Sequence, residues 1–473
     1  MIPRALGVAC LLLLSQLAAQ PQLTIGADDR TGLEVTIYNS NIGLVKDTRS
    51  FSLTRGGRAE VLLEDVAAKV QAETVLPVSL TPQRQWVVLE QNYEYDLLTP
   101  NTLLAKYVGR PVRLLTYDSD NKVVERQTAT LLSLNEGPLY QVGKEIHIKH
   151  PGHVILPEVP EELVARPSLR WLVEGDQGKH TIQVSYLTSG LTWKADYVLK
   201  VNQAVTGGDL TGWITLNNQS GIAYPDASVK LVAGDVHRAP PERRYPPVQT
   251  RLELARARPP EVTEEAFMEY HLYTIPWKTT LKHNQQKQVE LLSRSGLGLE
   301  RHYLVDVPAY FVTGTRKGES KLPVNVQLSF ANTKANHLGD PLPGGIIRIY
   351  SEDRAGTLQF AGEDRIDHTP RDEEVKVTLG KAFDLVCEVR QTEYEDLSDR
   401  RTRRYESGFE VSLRNRKEQE TVTIGVLAHF PGEWQIRDSS HDHVQEDAFT
   451  ARFSVEVPAG KEVILSYSVK GTL

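Results

Sequence analysis

Sulfur is scarce in this chain: 473 residues hold two cysteines and two methionines. Cys10 falls in an apolar N-terminal stretch, so Cys387 stands alone in the remainder, and no internal disulfide can brace the fold. Charge of one sign is not in excess either. The 54 basic residues against 61 acidic ones argue against nucleic-acid binding through bulk charge. After the first twenty residues, no apolar run approaches the roughly 18 residues that a membrane-spanning helix needs. Gly 33 and Pro 26 are ordinary counts, which excludes collagen-like and low-complexity architectures. With 40% hydrophobic and 24% charged residues, the chain has the make-up of a globular protein of about three domains.

What is present begins with an export signal over 1–19. Arg4 supplies the positive start, Ala5 through Leu14 the apolar run, and Leu17-Ala18-Ala19 the small residues before a cut. Cys10 lies inside the apolar run, followed by Leu11 to Leu14, which argues against a lipid attachment there.

Beyond residue 20 the pattern is alternation of apolar and polar residues. Leu33-Glu-Val-Thr-Ile-Tyr38, His180-Thr-Ile-Gln-Val-Ser-Tyr186 and Val324-Asn-Val-Gln-Leu-Ser-Phe330 predict half-buried antiparallel strands. One short helix is expected, with Thr99 as its N-cap, Pro100 at its first position and Gly109 as its stop. The fold class is therefore all-β: immunoglobulin-like antiparallel sandwiches with a small SH3-like barrel insert. The divisions read as a β-sandwich segment over 20–98, helix and barrel over 99–160, and sandwich over 161–236. A mobile Pro/Arg/Glu-rich loop follows over 237–266, then sandwich again over 267–380 and a C-terminal sandwich over 381–473. Three strands end on an asparagine, at Asn218, Asn332 and Asn415, and are read as related hairpins closed by that side chain.

The search for chemistry assigns no catalytic, cofactor-binding or metal-binding residue. No serine has glycine on both sides at two-residue spacing, and no His-Glu-x-x-His occurs. Gly178-Lys-His-Thr181 resembles a phosphate loop only loosely and reads better as a turn between strands. His441 with His443, and His147 with His150 and His153, are candidate metal pairs or triplets that lack an obvious complement. Glu264-Glu265 and Glu363-Asp364 could pair as acid and base, but that depends on spatial separation. Cys387, among apolar neighbours, reads as a buried strand thiol, and Trp193 as a core anchor.

Five stretches together resemble one bacterial family. They are Val35-Thr-Ile-Tyr-Asn-Ser-Asn-Ile-Gly-Leu-Val-Lys-Asp-Thr-Arg49, Ser185-Tyr-Leu-Thr-Ser-Gly-Leu-Thr-Trp-Lys-Ala-Asp-Tyr197, Tyr224-Pro-Asp-Ala-Ser-Val-Lys-Leu-Val-Ala-Gly-Asp235, Glu269-Tyr-His-Leu-Tyr-Thr-Ile-Pro276 and Pro341-Leu-Pro-Gly-Gly-Ile-Ile-Arg-Ile-Tyr350. The chain resembles exported proteins carrying a domain of unknown function shared with the mucoidy-inhibitor-A-like proteins. The resemblance implies a β-rich protein of the bacterial envelope, periplasmic or secreted, with no established activity, cofactor or catalytic residue. Where mucoidy-inhibitor-like members carry a long coiled-coil-like insert, this chain has the small-barrel region.

The expected function is thus non-catalytic binding or scaffolding, with an envelope protein or a polysaccharide as partner, no nucleic acid and no transmembrane segment once the signal is removed. The alternatives are a secreted hydrolase of peptide or polysaccharide with a dispersed site, and a carbohydrate-binding module. Export itself is testable: N-terminal sequencing of protein from the exported fraction should start near Gln20, and an intact Met1 there overturns the signal reading.

Overall fold

The computed structural model describes residues 23–94, 98–120, 122–150, 152–160, 163, 166–234, 263–267, 270–400 and 402–473. The signal segment and 237–262 of the expected loop lie outside the described residues. Residues 263–266, placed in that loop by composition, instead belong to a strand, Thr263–Phe267, paired with Tyr270–Thr274.

The protein is all-β, as expected. A four-stranded sheet runs in the order Leu23–Ile25, Gly57–Leu63, Ser168–Gly175 and Trp86–Glu94. A longer sheet runs Thr263–Phe267, Tyr270–Thr274, Tyr224–Ala233, Arg30–Tyr38, Ile42–Leu53, Gly178–Ser189 and Leu76–Ser79. Both feed one core, where Phe51, Trp86 and Trp171 meet edge to face. Alternation explains the long strands: Ile182, Val184 and Tyr186 of Gly178–Ser189 point inward while the residues between them are half-buried.

A middle sheet shares the same core. Its order is Gln285–Gly298, Gly207–Asn218, Leu191–Val201, Gly345–Glu352 and Leu358–Ile366. Trp193 anchors it to the long sheet, buried against Tyr273 and donating its indole N–H to the Val232 carbonyl at 3.1 Å. A second core lies between two further sheets. One holds Glu300–Val307, Asn325–Ala331, Glu374–Lys381, Val422–His429, His443–Asp447 and Thr450–Val457. The other holds Glu319–Leu322, Leu385–Asp396, Arg404–Asn415, Glu433–Ser439 and Glu462–Thr472. Residues 381–473 do not build this sandwich alone, because Tyr303, Val305, Phe311 and Val324 are part of its core.

Three expectations need correction. The insert is not a closed barrel. Its ladder runs Glu145–Ile148, Leu139–Val142, Val123–Ser133, Pro111–Tyr117 and His153–Ile155, and no pairing joins the two end strands among the described residues. It buries a small core of its own around Tyr107, Leu114 and Leu131. The helix before it, Pro100–Lys106, is as expected: the Thr99 hydroxyl accepts from the Thr102 N–H at 3.1 Å. Nor are all strands antiparallel. Leu23–Ile25 lies parallel to Gly57–Leu63, Tyr224–Ala233 to Arg30–Tyr38, Gly345–Glu352 to Leu191–Val201, and Val422–His429 to Glu300–Val307.

The third correction concerns the asparagines. Each ends its strand where the chain leaves one sheet for another, so these are corners and not hairpins. After Asn218 the chain passes from the middle sheet to the long sheet, and after Asn332 it enters the middle sheet. After Asn415 it crosses between the two sheets of the second sandwich. In all three cases the strand entered next is one of the parallel-paired strands. The side chains are fully used. Asn218 donates to the carbonyls of Ile222 at 2.8 Å and Leu281 at 3.1 Å and accepts from the Ser220 N–H at 3.1 Å. Asn332 donates to Asp340 at 2.9 Å and Pro370 at 2.8 Å and accepts from the Gly339 N–H at 3.0 Å. Asn415 donates to Glu420 at 2.7 Å and Val457 at 3.0 Å and accepts from the Lys417 N–H at 3.0 Å.

A backbone that turns inside a sandwich rim loses its ladder partners, and a buried polar group left unpaired costs about 1–3 kcal/mol. One asparagine answers three such groups at once. Asn332→Ala and Asn415→Ala should each destabilise by about 2–4 kcal/mol in urea unfolding, whereas Asn217→Ala, a half-buried neighbour on the same strand as Asn218, should change stability by less than about 0.5 kcal/mol. Equal small effects at all three positions would refute the corner role.

Candidate functional site

The most heavily charged buried cluster lies in the first sandwich. Asp47 and Arg49, two apart on Ile42–Leu53, are both essentially inaccessible. The Asp47 carboxylate accepts from Arg30 at 2.9 and 3.0 Å and from Arg49 at 2.8 and 3.1 Å. Arg49 also donates to the carbonyls of Ile25 at 2.9 Å, Gly26 at 3.0 Å and Glu64 at 2.7 Å. Burial alone would raise the Asp47 carboxyl, but the charge of Arg49 and the hydrogen bonds from both arginines outweigh it and hold its pKa low. Every arm of this cluster ends on a protein group, so it acts as a brace.

The residues singled out from sequence are dispersed. His441 sits in a turn, its Nδ1 at 2.9 Å from the Ser440 hydroxyl, and His443 is exposed on a strand with its ring 5.6 Å from that of Phe453. The rings of His147 and His150 are 5.8 Å apart, but His150 Nδ1 accepts from the Gly152 N–H at 3.0 Å and His147 faces Glu145 at 3.5 Å. His153 lies edge-on to Tyr117. Among the described residues, no three His, Cys, Asp or Glu side chains are grouped to hold a metal. Glu264 and Glu265 fall in Thr263–Phe267. Glu363 is ion-paired with Arg348 at 3.1 Å, and Asp364 accepts from the Thr378 N–H at 2.7 Å. Cys387 is buried, which pushes its thiol up to about 12, with Glu388 adding to the shift. At neutral pH it is a thiol and not a nucleophilic thiolate.

Sequence reasoning missed a groove on the outer face of the middle sheet. Register places Ser293, Thr211 and Val198 in one row across three strands. Asp209, Lys200 and Tyr350 form the next row, and Leu358 closes the end opposite Glu352. These residues line an open groove, and exposed Phe360 meets Tyr350 edge to face at 5.7 Å beside it. Three bulges, at Gly208/Leu210, Gly212/Trp213 and Ile349/Tyr350, distort the surrounding ladders. Bulges re-aim side chains in this way near binding sites.

The charges of this face are tied down. Asp196 accepts from Thr215 at 2.9 Å, Lys194 at 3.1 Å and Arg348 at 3.3 Å. Burial opposes ionisation there, yet the hydrogen bonds from Lys194 and Thr215 keep its pKa below the usual value. Lys200 pairs with Glu352 at 2.8 Å, and Asp209 accepts from the Gly296 N–H at 3.1 Å. By contrast, the hydroxyls of Thr211, Ser293, Ser295 and Tyr350 make no hydrogen bond to another described residue. The groove therefore offers free hydroxyls, an aromatic edge and neutralised charges. Its outward residues are visible in the alternation of each strand, but only register reveals which of them are neighbours.

No protein-family model matches the chain, and no curated protein is recognisably similar to it.

The brace yields a pH prediction. Asp47→Asn leaves two arginine charges without their carboxylate and should cost about 3–5 kcal/mol at pH 7. Because the folded-state pKa of Asp47 is depressed, its contribution is present above the unfolded value near 3.9 and is lost as pH falls through the folded-state value. Urea midpoints taken from pH 7 to pH 3 should show the gap between wild type and variant closing below about pH 4. A gap independent of pH would remove the charge from the argument.

Proposed function

We propose that this is an exported bacterial β-sandwich protein that binds or scaffolds another component of the cell envelope and catalyses no reaction of its own. In this reading it belongs with the exported proteins that share the mucoidy-inhibitor-type domain, and residues 1–19 direct it to the periplasm or the medium. The observation that carries the proposal is the groove on the middle sheet. Free hydroxyls and an aromatic edge sit on a rigid sheet, while the carboxylates and ammonium groups around them are already paired. Charges already tied to partners favour recognition over proton transfer, because an acid or base must be free to exchange its proton with a ligand.

A carbohydrate-binding role is the second reading. Tyr350 and Phe360 beside Thr211, Ser293 and Ser295 combine the flat apolar edge and the hydroxyl donors that a polyhydroxylated chain can use.

The test is capture from the native envelope fraction with tagged wild type and with Thr211→Arg/Ser293→Arg, which fills the groove. Wild type should retain one defined protein or polysaccharide, and the variant should lose it while keeping its melting temperature. Hydrolysis of peptide or glycan substrates by purified wild type, abolished in the variant, would put the hydrolase first.

A further inference from the structure

A second groove, on the C-terminal sandwich, has a different chemistry. The chain leaves Glu300–Val307 through Pro308 and a single turn, Ala309–Phe311, and reaches Glu319–Leu322 by way of a short loop. Phe311 and Val312 are buried in the second core and pin the start of this loop. Gln391, at a bulge in Leu385–Asp396, pins the rest. Its amide donates to the carbonyls of Phe311 at 3.3 Å and Gly314 at 3.1 Å, and its oxygen accepts from the Arg316 N–H at 2.6 Å.

The clamped loop presents Arg316 in a fixed pose. Its guanidinium lies 4.5 Å from the ring centre of Tyr310 and 4.7 Å from that of Phe311, and it donates to the Tyr310 carbonyl at 3.2 Å. Neither Arg316 nor the adjacent Lys317 forms an ion pair with a described residue. Beside them, the hydroxyls of Thr315 and Ser320 are also without a described hydrogen-bond partner, and Tyr310 is half exposed. Some arginines at sheet faces meet carboxylates, as Arg390 does with Glu410 and Arg414 with Glu388. Arg113 and Arg126 of the insert sheet, like Arg316, have no ion pair with a described residue, but only Arg316 of these three has its guanidinium set against two aromatic rings. Arg316 is held ready beside exposed Lys317, and the described chain supplies neither with an anion.

We propose that this groove binds a carboxylate-bearing polysaccharide, with a uronate carboxylate at Arg316 and Lys317. A guanidinium stacked on aromatic rings retains in-plane N–H groups that fit a carboxylate in a fork, and it keeps that geometry without a further ordering cost. Lys317 adds a second positive charge. Thr315 and Ser320 supply hydroxyls that can hydrogen-bond a sugar's own, and half-exposed Tyr310 offers a sugar ring an aromatic contact. An acidic peptide fits less well, because Tyr310 is the only apolar side chain lining the groove and there is no pocket for alternate side chains. The whole chain carries net charge −7, so attraction of such a ligand has to be local.

The proposal deepens the binding reading above by naming a ligand class, and it involves a different surface. Calorimetry with the full chain should compare an oligogalacturonate with its methyl ester and with hexaglutamate. The acid form should bind, and the ester and the peptide should each bind at least about tenfold more weakly. Lys317→Ala and Arg316→Ala should each lower affinity by about tenfold, and Arg316→Lys should restore only part of it, since an ammonium cannot form the fork. Lys317 is not part of the loop's clamp, so its variant remains informative if Arg316→Ala fails to fold. Equal binding of acid and ester, tighter binding of hexaglutamate, no binding by wild type, or unchanged affinity in Lys317→Ala would each overturn the proposal. None of these results bears on partner capture through the middle sheet.

Discussion

The contact on which the first sandwich depends is the one between Asp47 and Arg49. A strand seldom buries a full ion pair, because removing both charges from water costs several kcal/mol per ion. Here the cost is offset by saturation. The carboxylate has two arginines, and the Arg49 guanidinium also collects the carbonyls of Ile25, Gly26 and Glu64, which lie at the ends of strands in the opposite sheet. Two of those carbonyls also accept a backbone N–H, Ile25 from Glu64 at 3.1 Å and Gly26 from Asp29 at 3.4 Å, and Arg49 gives each a second donor. A hydrophobic replacement would take the Arg49 donor from the Glu64 carbonyl and break the side-chain link between two sheets that ladder hydrogen bonds do not join.

The three asparagine corners solve the same problem with a neutral group. At each, the chain exits a strand, turns inside the rim and enters another sheet alongside a parallel partner. Parallel neighbours cannot be reached by a tight hairpin, so a crossing between sheets is the available route. The crossing exposes backbone groups that only a short, branched side chain with both donor and acceptor can meet. Through these pins the strands that pass between sheets hold a fixed register, and register is what assembles rows such as Ser293, Thr211 and Val198 on an outer face. The groove is a consequence of the pinning.

How much of this was legible in the sequence follows from which forces are local. Strand alternation, the Thr99 cap, the buried setting of Cys387 and the anchoring role of Trp193 were all readable, because period-two burial and capping are written in neighbouring residues. The asparagine pattern was visible, but its meaning was not. A turn-closing asparagine looks the same whether the next strand returns to its own sheet or crosses to another. Parallel pairing, the open end of the insert sheet and the grooves all depend on which strands become partners across the chain, as with Thr211 and Tyr350. Arg316 was equally hidden. Its significance lies in the missing carboxylate and in Gln391, which fastens the loop from 75 residues away.

Burial and pairing fix the protonation states of the least accessible titratable groups. Burial moves the Cys387 thiol up to about 12, and it raises the hydroxyls of Tyr186 and Tyr197 well above their ordinary range. Asp47 and Asp196 move the other way, their carboxylates held by cations. Each shift carries its group away from neutrality, into a single protonation state. Here the interior is set for rigidity. The interior is not fully satisfied, since Trp86 Nε1, His180 Nδ1 and the hydroxyls of Tyr405 and Tyr467 are buried without a described partner, whereas the hydroxyls of the middle sheet and the cations at Arg316 and Lys317 lie on the outside.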